Sequence, residues 1–341
     1  MEIAFYEVED WERERLRSEL PGHDLRFYRE SLTAANASLA TMAEVVSVFI
    51  RSQVDAQVLA QLPRLRLLAT RSTGYDHVDL PACVEKGVAV SNVPFYGENT
   101  VAEHTFGLIL ALSRNLLKAY VRTSRGDFDL AGLEGFDIKG KTLGVVGAGS
   151  IGLHVIRIAK GFGMQVLAYD VRENHLLAEV LAFQYLPLEE LFARSDVVTL
   201  HTPYLPATYH LVDREALAKF KRGALLINTA RGGLVDTDAL IWALDEGILA
   251  GAGLDVLEGE EVVREDRELL LQPQAEDKLR MVLRRHILLQ RDKVVITPHI
   301  AFYSREALER IEDTTAANIR AFLAGQPQNL VEVPPAAGRA A

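Results

Sequence analysis

Cysteine, long hydrophobic runs and positive charge are all scarce in this chain of 341 residues. Cys83 stands alone, so no disulfide can form within the chain. Its thiol is either core filler or a nucleophile that needs an activating base, and we interpret it as filler. No apolar run approaches the roughly 20 residues that a membrane-spanning helix needs, so no membrane segment is expected.

The formal net charge of −10 argues against general binding to nucleic acids or anionic membranes, because both reward a basic surface. Residues 1–7 lack the basic region and apolar run of a secretory signal. Both observations favour a cytoplasmic protein without nucleic-acid or membrane partners, and we predict no bound metal. The length exceeds what one hydrophobic core usually serves, so two domains are expected.

Short apolar runs alternate with amphipathic segments along most of the chain, a pattern typical of α/β proteins with parallel sheets. The first hundred residues contain predicted strands at 3–6, 45–50, 65–69 and 88–90. A second series contains predicted strands at 142–146, 165–169, 197–200, 224–227, 250–254 and 294–296. Helices are predicted at 10–20, 55–61, 79–85, 99–117, 151–160 and 305–323. Six strands in the second series match the count of a Rossmann-like dinucleotide-binding sheet.

A glycine-rich loop with the pattern G-x-G-x-x-G follows the first strand of the second series, at residues 147–152. Gly147 would make the tight turn, Gly149 would let a pyrophosphate approach the backbone, and Gly152 would let helix and strand pack closely. The following helix begins with Ser150 and Ile151, whose N–H groups suit phosphate binding. The loop therefore predicts a dinucleotide site.

Asp170 ends the next predicted strand, 18 residues after Gly152. A carboxylate at this position accepts hydrogen bonds from the ribose hydroxyls of the adenosine and repels a 2′-phosphate. The predicted cofactor is therefore NAD rather than NADP, although Arg172 could soften this preference.

Polar residues follow the other predicted strands of the second series, at the edge where open α/β sheets bind ligands. The positions of this set are His201, Thr202, Pro203, Thr229, Ala230, Arg231, Asp255, Glu258, Glu260 and His299. We assign Thr202, Pro203, Thr229, Ala230 and Asp255 to cofactor binding.

Arginine, acid and histidine together suit hydride transfer to a 2-keto acid. Arg231 can hold a carboxylate bidentately, and His299 can donate a proton near neutral pH. Glu260 is the candidate that stabilises the imidazolium, with Asp255 in support. Each also has a structural interpretation: Arg231 as an ion pair, Glu258 with Glu260 as a solvated acidic turn, and His299 as a helix cap.

Longer blocks resemble the D-isomer-specific 2-hydroxyacid dehydrogenases, most closely their D-lactate dehydrogenase branch. The similar blocks are 145–152 with Asp170, His201 and Pro203 with Thr208, and 228–236 followed by 253–256. This resemblance implies that Arg231, Glu260 and His299 are the catalytic residues.

The same resemblance implies a substrate site that includes residues of the first hundred. The loop 71–79 is similar to one whose backbone N–H groups hold the substrate carboxylate, through Thr73 and Gly74. Tyr96 matches a tyrosine that reaches the substrate in the lactate branch. Phe302 and Phe49 would line a small apolar pocket suited to a short side chain.

The family architecture implies two Rossmann-like or flavodoxin-like parallel-sheet domains with a cleft between them. The substrate domain would be discontinuous, comprising residues 1–100 and 304–341, and the NAD-binding domain would comprise residues 101–303. A hinge at the two crossings would close the cleft. The long helix at 99–117 looks like the family's dimer-forming element, so a homodimer is expected.

The expected activity is NAD-dependent reduction of pyruvate to D-lactate. Alternatives within the family are bulkier 2-keto acids such as phenylpyruvate, or hydroxypyruvate and glyoxylate. An alternative of a different class is an NADH-sensing corepressor.

One departure from the family pattern is the long segment 261–293, which separates Glu260 from His299 by 39 residues. Leu279, Val282, Leu283 and Ile287 fall on one helical face there. We hypothesise a helix that covers the cleft or forms a subunit contact.

Overall fold

The computed structural model describes residues 1–259 and 275–332, with side chains described for all of these except residues 275–281. The chain divides into two compact units. The first unit comprises Met1–Tyr96 and the described chain from Ser304 onward, and the second comprises the described part of Gly97–Tyr303. Both are α/β units built on parallel sheets, as the sequence predicts.

The sheet of the first unit has five parallel strands in the order β2-β1-β3-β4-β5. Its strands are β1 (Glu2–Phe5), β2 (Asp24–Phe27), β3 (Val45–Val48), β4 (Leu67–Thr70) and β5 (Ala89–Ser91). β2 was not predicted, because it lies at the sheet edge and alternates between exposed and half-buried residues instead of forming an apolar run.

Four α-helices cover this sheet. They are α1 (Asp10–Glu19), α2 (Ala56–Ala60), α3 (Leu80–Glu85) and, from the end of the chain, α12 (Arg305–Leu323). Helix α12 packs against α1 and β4, and Ile319 enters the core beside Phe5 and Leu67. Cys83 is fully buried on α3, and burial raises the pKa of its thiol to about 11. The thiol is therefore part of the core.

The sheet of the second unit has seven parallel strands in the order β12-β11-β10-β9-β6-β7-β8. Its strands are β6 (Thr142–Val146), β7 (Gln165–Tyr169), β8 (Gln184–Tyr185), β9 (Val197–Leu200), β10 (Ala224–Asn228), β11 (Leu249–Leu254) and β12 (Val294–Ile296). The predicted count of six strands was wrong. The additional strand, β8, has only two residues, too few to produce an apolar run.

The helices of the second unit lie between these strands or precede them. They are α4 (Glu98–Ser113), α5 (Leu116–Ser124), α6 (Ser150–Gly161), α7 (His175–Val180), α8 (Leu188–Arg194), α9 (Arg214–Ala218), α10 (Thr237–Asp245) and α11 (Ala275–Leu289). No helix within the described ranges is long and apolar enough to cross a membrane.

The single helix predicted at 99–117 is two helices. The chain turns at Asn115, which has φ of +51°, a left-handed conformation that ends one helix before the next begins. The Asn115 side chain donates hydrogen bonds to the carbonyls of Leu133 and Glu134. These contacts to a distant segment favour the break, which hydrophobic periodicity alone could not indicate.

A buried carboxyl pair joins α12 to α1 in the first unit. Glu312 is 1% exposed and faces Glu12, which is also buried. Burial, followed by the neighbouring Glu12 carboxyl, raises the pKa of Glu312 well above its usual range, and Arg71 and Arg15 offset part of this rise. Glu312 is therefore protonated in the folded chain at neutral pH.

This proton makes stability depend on pH. An unfolded chain releases it near the ordinary carboxyl pKa of 4.5, whereas the folded chain retains it, so folding takes up a proton. We expect Glu312→Gln to need no such proton and to be more stable than the wild type at pH 7. The advantage should grow by up to about 1.4 kcal/mol per pH unit above the unfolded pKa.

Urea denaturation at pH 5.5, 6.5 and 7.5 measures this difference in the free energy of unfolding. The exposed Glu306→Gln on the same helix is the matched control and should show no such trend. Equal stability of the wild type and Glu312→Gln at every pH would contradict the assignment.

Candidate active site

The glycine loop after β6 has a geometry that only glycine satisfies. Gly147 has φ of +95°, and a Cβ there would lie 2.7 Å from the carbonyl of His201. A Cβ on Gly152 would lie 2.0 Å from the carbonyl oxygen of Gly147. These close approaches explain the first and third glycines of the motif as packing requirements.

Gly149 differs, because a Cβ there would meet nothing within 4 Å. It is the N-cap of α6, so the N–H groups of Ser150 and Ile151 lie in the first turn, where a helix has no acceptors of its own. An open approach beside Gly149 and the N–H groups of the first helical turn suit a phosphate, and the loop therefore fits NAD.

Asp170 follows β7 and lies beside the same loop. Its Oδ2 accepts a hydrogen bond from the N–H of Ala148 at 2.8 Å, and its Oδ1 accepts one from the N–H of Arg172 at 2.9 Å. Each carboxylate oxygen has two lone pairs, so both can still accept a ribose hydroxyl. The backbone contacts hold the carboxylate in the position that the NAD prediction requires.

The segment after β9 contains two buried polar atoms without a hydrogen-bond partner among the described residues, Nδ1 of His201 and Oγ1 of Thr202. Burial lowers the pKa of His201 to about 3, so its ring is neutral at physiological pH. An unsatisfied Thr202 hydroxyl beside the exposed Pro203 fits a polar group of a bound nucleotide. Thr208 closes this loop, because its Oγ1 donates to the carbonyl of Pro203 at 2.7 Å.

Arg231 follows β10 and is held by a side chain that the sequence prediction overlooked. Asn228 is buried, with Oδ1 accepting from the N–H of Ala230 at 3.0 Å and Nδ2 donating to the carbonyl of Arg231 at 2.8 Å. The Thr229 hydroxyl contacts that of Thr105 on α4 at 3.0 Å. Asn228 thus brackets the turn that presents Arg231, which is half-buried.

Asp255 follows β11 and organises the next loop. Its buried carboxylate accepts hydrogen bonds from the N–H groups of Ile300 and Ala301, at 2.9 and 2.7 Å, and from the hydroxyl of Thr297 at 2.5 Å. The N–H of His299 donates to its backbone carbonyl at 2.9 Å. Asp255 was assigned to cofactor binding, and the contacts described here fix the segment that carries His299.

His299 itself has φ of +57°, a left-handed conformation that is unfavourable for a residue with a side chain. Such a conformation persists only where neighbouring contacts determine it, and the Asp255 contacts do so here. The imidazole is half-buried and meets the ring of Phe302 edge to face, with centroids 6.1 Å apart. His104 adds a contact from α4, with its Nε2 3.1 Å from Oγ1 of Thr297.

The structure therefore brings the Arg231 and His299 loops to one edge of one sheet. They follow β10 and β12, which flank β11 and its terminal Asp255. The N–H of Asp255 donates to the carbonyl of Asn228 at 2.9 Å, which ties the loops together. Glu260 lies outside the described residues. The role of Asn228 in holding the Arg231 turn could not be predicted from the sequence, because an amide side chain at a strand end is not by itself a distinctive pattern.

The loop after β4, in the first unit, contains the predicted residues Thr73 and Gly74. The Thr73 hydroxyl donates to the carbonyl of Val93 at 2.9 Å, and Ser72 Oγ donates to the carbonyl of Gly74 at 2.6 Å. Asn92 Nδ2 donates to the carbonyl of Thr73 at 2.8 Å. These contacts hold the carbonyls and leave the N–H groups of Thr73 and Gly74 without an acceptor in the described chain.

The remaining predicted substrate residues belong to different units. Phe49 and Tyr96 lie in the first unit, where the guanidinium of Arg71 stands 5.6 Å from the centre of the Phe49 ring and Arg310 donates to the carbonyl of Tyr96. Phe302 lies in the second unit and is buried. Each is held in place by contacts within its own unit.

The long segment before His299 ends in α11, so the predicted helix is present over Ala275–Leu289. On the predicted apolar face Leu283 and Ile287 are exposed, whereas Leu288, beside that face, is fully buried. The Leu279 side chain lies outside the described residues, and the hypothesis that this face covers the cleft or forms a subunit contact stays a prediction. Two ion pairs to α10 fasten this segment: Arg284 of α11 pairs with Asp238, and Arg291, just after α11, pairs with Asp245. Residues 261–274 of the insert lie outside the described chain.

Comparison with known proteins agrees with this geometry. Residues 106–301 match the family model described as D-isomer specific 2-hydroxyacid dehydrogenase, NAD binding domain. The chain is 40% identical to a 2-hydroxyacid dehydrogenase homolog of Haemophilus influenzae, over 96% of this chain and 97% of that protein. It is 37% identical to a D-lactate dehydrogenase of Escherichia coli, over 97% of this chain and all of that protein.

A solved structure is also similar. It is a D-lactate dehydrogenase from Aquifex aeolicus complexed with NAD and lactic acid, with a TM-score of 0.87 and 36% identity. The alignment covers 98% of this chain and 100% of that one.

The Asp170 contacts generate a prediction about the nucleotide. Removal of this carboxylate in Asp170→Ala should weaken NADH binding by about ten- to a hundredfold, because a charged acceptor for the ribose is lost. NADPH binding should change less, since repulsion of a 2′-phosphate is lost at the same time. Fluorescence titration with NADH and NADPH measures both affinities.

Glu179→Ala, which removes an exposed acid from α7 in the same unit, is the matched control. An Asp170→Ala variant that binds NADH as tightly as the wild type would refute the role of this carboxylate.

Proposed function

Because the chain belongs to the D-isomer specific 2-hydroxyacid dehydrogenases, NAD-dependent oxidoreductases that act on CH–OH groups, we propose that it reduces pyruvate to D-lactate. The observation that carries the reaction type is the convergence of the Arg231 and His299 loops around Asp255. The choice of substrate is supported by similarity to D-lactate dehydrogenases along nearly the whole chain.

The proposed roles follow from side-chain chemistry. The Arg231 guanidinium binds the substrate carboxylate through two parallel hydrogen bonds. NADH, held by the glycine loop and Asp170, would supply the hydride for the carbonyl carbon. The protonated His299 imidazole donates its proton to the carbonyl oxygen, which becomes the hydroxyl of the product. We assign Glu260 to stabilising the imidazolium, and Asp255 to holding His299 through the 300–301 backbone.

The first unit is proposed to bind substrate. The free N–H groups of Thr73 and Gly74 suit a carboxylate, since their carbonyls are already used by Asn92 and Ser72. We assign Phe49, Tyr96 and Phe302 to the walls around a short side chain. As an enzyme that would draw on NADH, the chain is proposed to act in the cytoplasm.

Kinetics test this proposal directly. We expect NADH oxidation with pyruvate, and a KM for pyruvate that rises on the order of a hundredfold in Arg231→Ala, because a bidentate charged contact is lost. His299→Gln should lower kcat by about a hundred- to ten-thousandfold, since the proton donor is removed. A spectrophotometric assay with pyruvate, phenylpyruvate, glyoxylate and hydroxypyruvate measures these values.

Matched controls are Arg194→Ala and His175→Gln, which remove an exposed arginine and an exposed histidine from the same unit. If the wild type prefers phenylpyruvate, glyoxylate or hydroxypyruvate, the proposal that pyruvate is the substrate is wrong. Undiminished turnover in Arg231→Ala and His299→Gln would refute the mechanism.

We also propose a homodimer formed through α5 and the loop that follows it. This surface is apolar and exposed, and consists of Leu116, Leu117, Tyr120, Val121, Phe128 and Leu130. The Arg122 guanidinium donates to the carbonyls of Asp129 and Ala131, which fastens the loop to α5. An ordered apolar surface of this kind is typical of subunit interfaces.

Two acidic substitutions in this surface should separate the subunits. We expect the double variant Tyr120→Asp, Leu130→Asp to be monomeric at micromolar concentration, because two carboxylates would be desolvated in the interface. Light scattering coupled to size-exclusion chromatography gives the mass. Met42→Asp, at an exposed apolar position in the first unit, should stay dimeric; a monomeric wild type would exclude the dimer.

A further inference from the structure

Three loops that follow neighbouring strands of the second unit meet at one carboxylate. They follow β9, β10 and β11. The first contains His210, the second leads directly into Thr237, the first residue of α10, and the third contains Glu258. Backbone contacts already join the first two, because the N–H of His210 donates to the carbonyl of Gly233 and the N–H of Val212 to that of Leu234.

Glu258 joins the third loop to both. Its Oε1 accepts from His210 Nε2 at 2.7 Å, and its Oε2 accepts from the Thr237 hydroxyl at 3.0 Å. A carboxylate has no proton to give, so His210 and Thr237 are both donors. The Glu258 side chain is 19% exposed and that of His210 26%, so the contact is partly shielded from water. Glu258 is therefore not part of a solvated acidic turn.

The backbone just before this carboxylate lies against the turn that carries Arg231. A Cβ on Gly232 would come within 2.1 Å of the carbonyl of Leu257 and 2.4 Å of the nitrogen of Glu258. The 257–258 peptide thus presses against the residue next to Arg231. A displacement of this peptide must disturb the Arg231 turn, because the two backbones are already in contact.

Helix α11 closes the other side of this junction. Arg284, Arg285 and Leu288 line a small cavity with Thr237, Leu257 and Glu258. Leu288 is fully buried, and Arg284 is paired with Asp238 on α10. The C-terminal half of α11, which belongs to the described part of the insert, therefore packs beside the Glu258 contacts.

We propose that Glu258 is a positioning residue, which holds the 257–258 peptide against Gly232 and so fixes the conformation of the Arg231 turn. The inference rests on the proposed role of Arg231 in binding the substrate carboxylate. Glu258 acts through its two donors and touches no reacting atom. Its loss releases the Arg231 turn while the glycine loop and Asp170 keep their own contacts.

The test compares Glu258→Ala with Glu258→Gln and with Glu246→Ala, an exposed acid at the end of α10. In Glu258→Ala we expect amide exchange in residues 231–237 to accelerate on the order of tenfold, the size expected for losing a charged hydrogen bond. The KM for pyruvate should rise about tenfold, with the KM for NADH within about twofold of wild type. Glu258→Gln should recover part of both effects.

A second pair of variants covers the case in which Glu258→Ala does not fold. Thr237→Val removes one donor and keeps the side-chain shape, whereas Thr237→Ser keeps the hydroxyl. We expect Thr237→Val to accelerate exchange in residues 231–237 and Thr237→Ser to resemble the wild type. Equal behaviour of the two Thr237 variants in exchange and in KM would overturn the proposal.

The outcomes separate positioning from a general structural role. A lower melting temperature with faster exchange throughout the second unit, and equal changes in both KM values, would overturn the positioning role. If the wild type reduces no 2-keto acid but exchange is locally faster in Glu258→Ala, the positioning role of Glu258 is supported and the substrate role of Arg231 is refuted. If the wild type reduces pyruvate and Glu258→Ala is unchanged in KM and exchange, the positioning role of Glu258 alone is overturned.

Discussion

The Asp255 carboxylate is 1% exposed, and three hydrogen bonds from Thr297, Ile300 and Ala301 compensate the loss of water around it. A buried charge of this kind constrains its surroundings, because any movement of a donor leaves part of the charge unsatisfied. The left-handed conformation of His299 depends on this constraint. The chemistry proposed for the second unit therefore depends on a residue, Asp255, that need not take part in the reaction itself.

Glu312 shows the other solution for a buried carboxyl. Asp255 accepts hydrogen bonds from three donors of one loop, whereas Glu312 is buried against a second carboxyl and keeps its proton. The two units thus contain buried acids in opposite surroundings, one facing hydrogen-bond donors and the other facing a second carboxyl. Glu258, partly exposed and bonded to two donors, lies between these extremes. In each case the neighbouring groups, rather than the residue type, decide the role of the carboxyl group.

Most strands could be predicted from the sequence because they are continuous apolar runs in parallel sheets, as in residues 197–200 and 224–227. The strands β2 and β8 could not, since β2 alternates exposed and half-buried residues and β8 has only two residues, so neither forms an apolar run. The glycine loop with Asp170 was recognisable because its requirements are local. The partners of Glu258 lie 21 and 48 residues away, so no local pattern could reveal them.

The return of α12 to the first unit has a consequence for synthesis. The second unit is one continuous stretch of chain, so it can fold as soon as it has emerged from the ribosome. Residues 1–96 of the first unit precede it in the chain but lack Ile319 for their core, and Asp313 for the contact with Arg15, until α12 has been made. Residues 1–96 are thus synthesised before the second unit but complete their core after it. Until then, the apolar surface of α1 and β4 stays open to chaperones and to premature association.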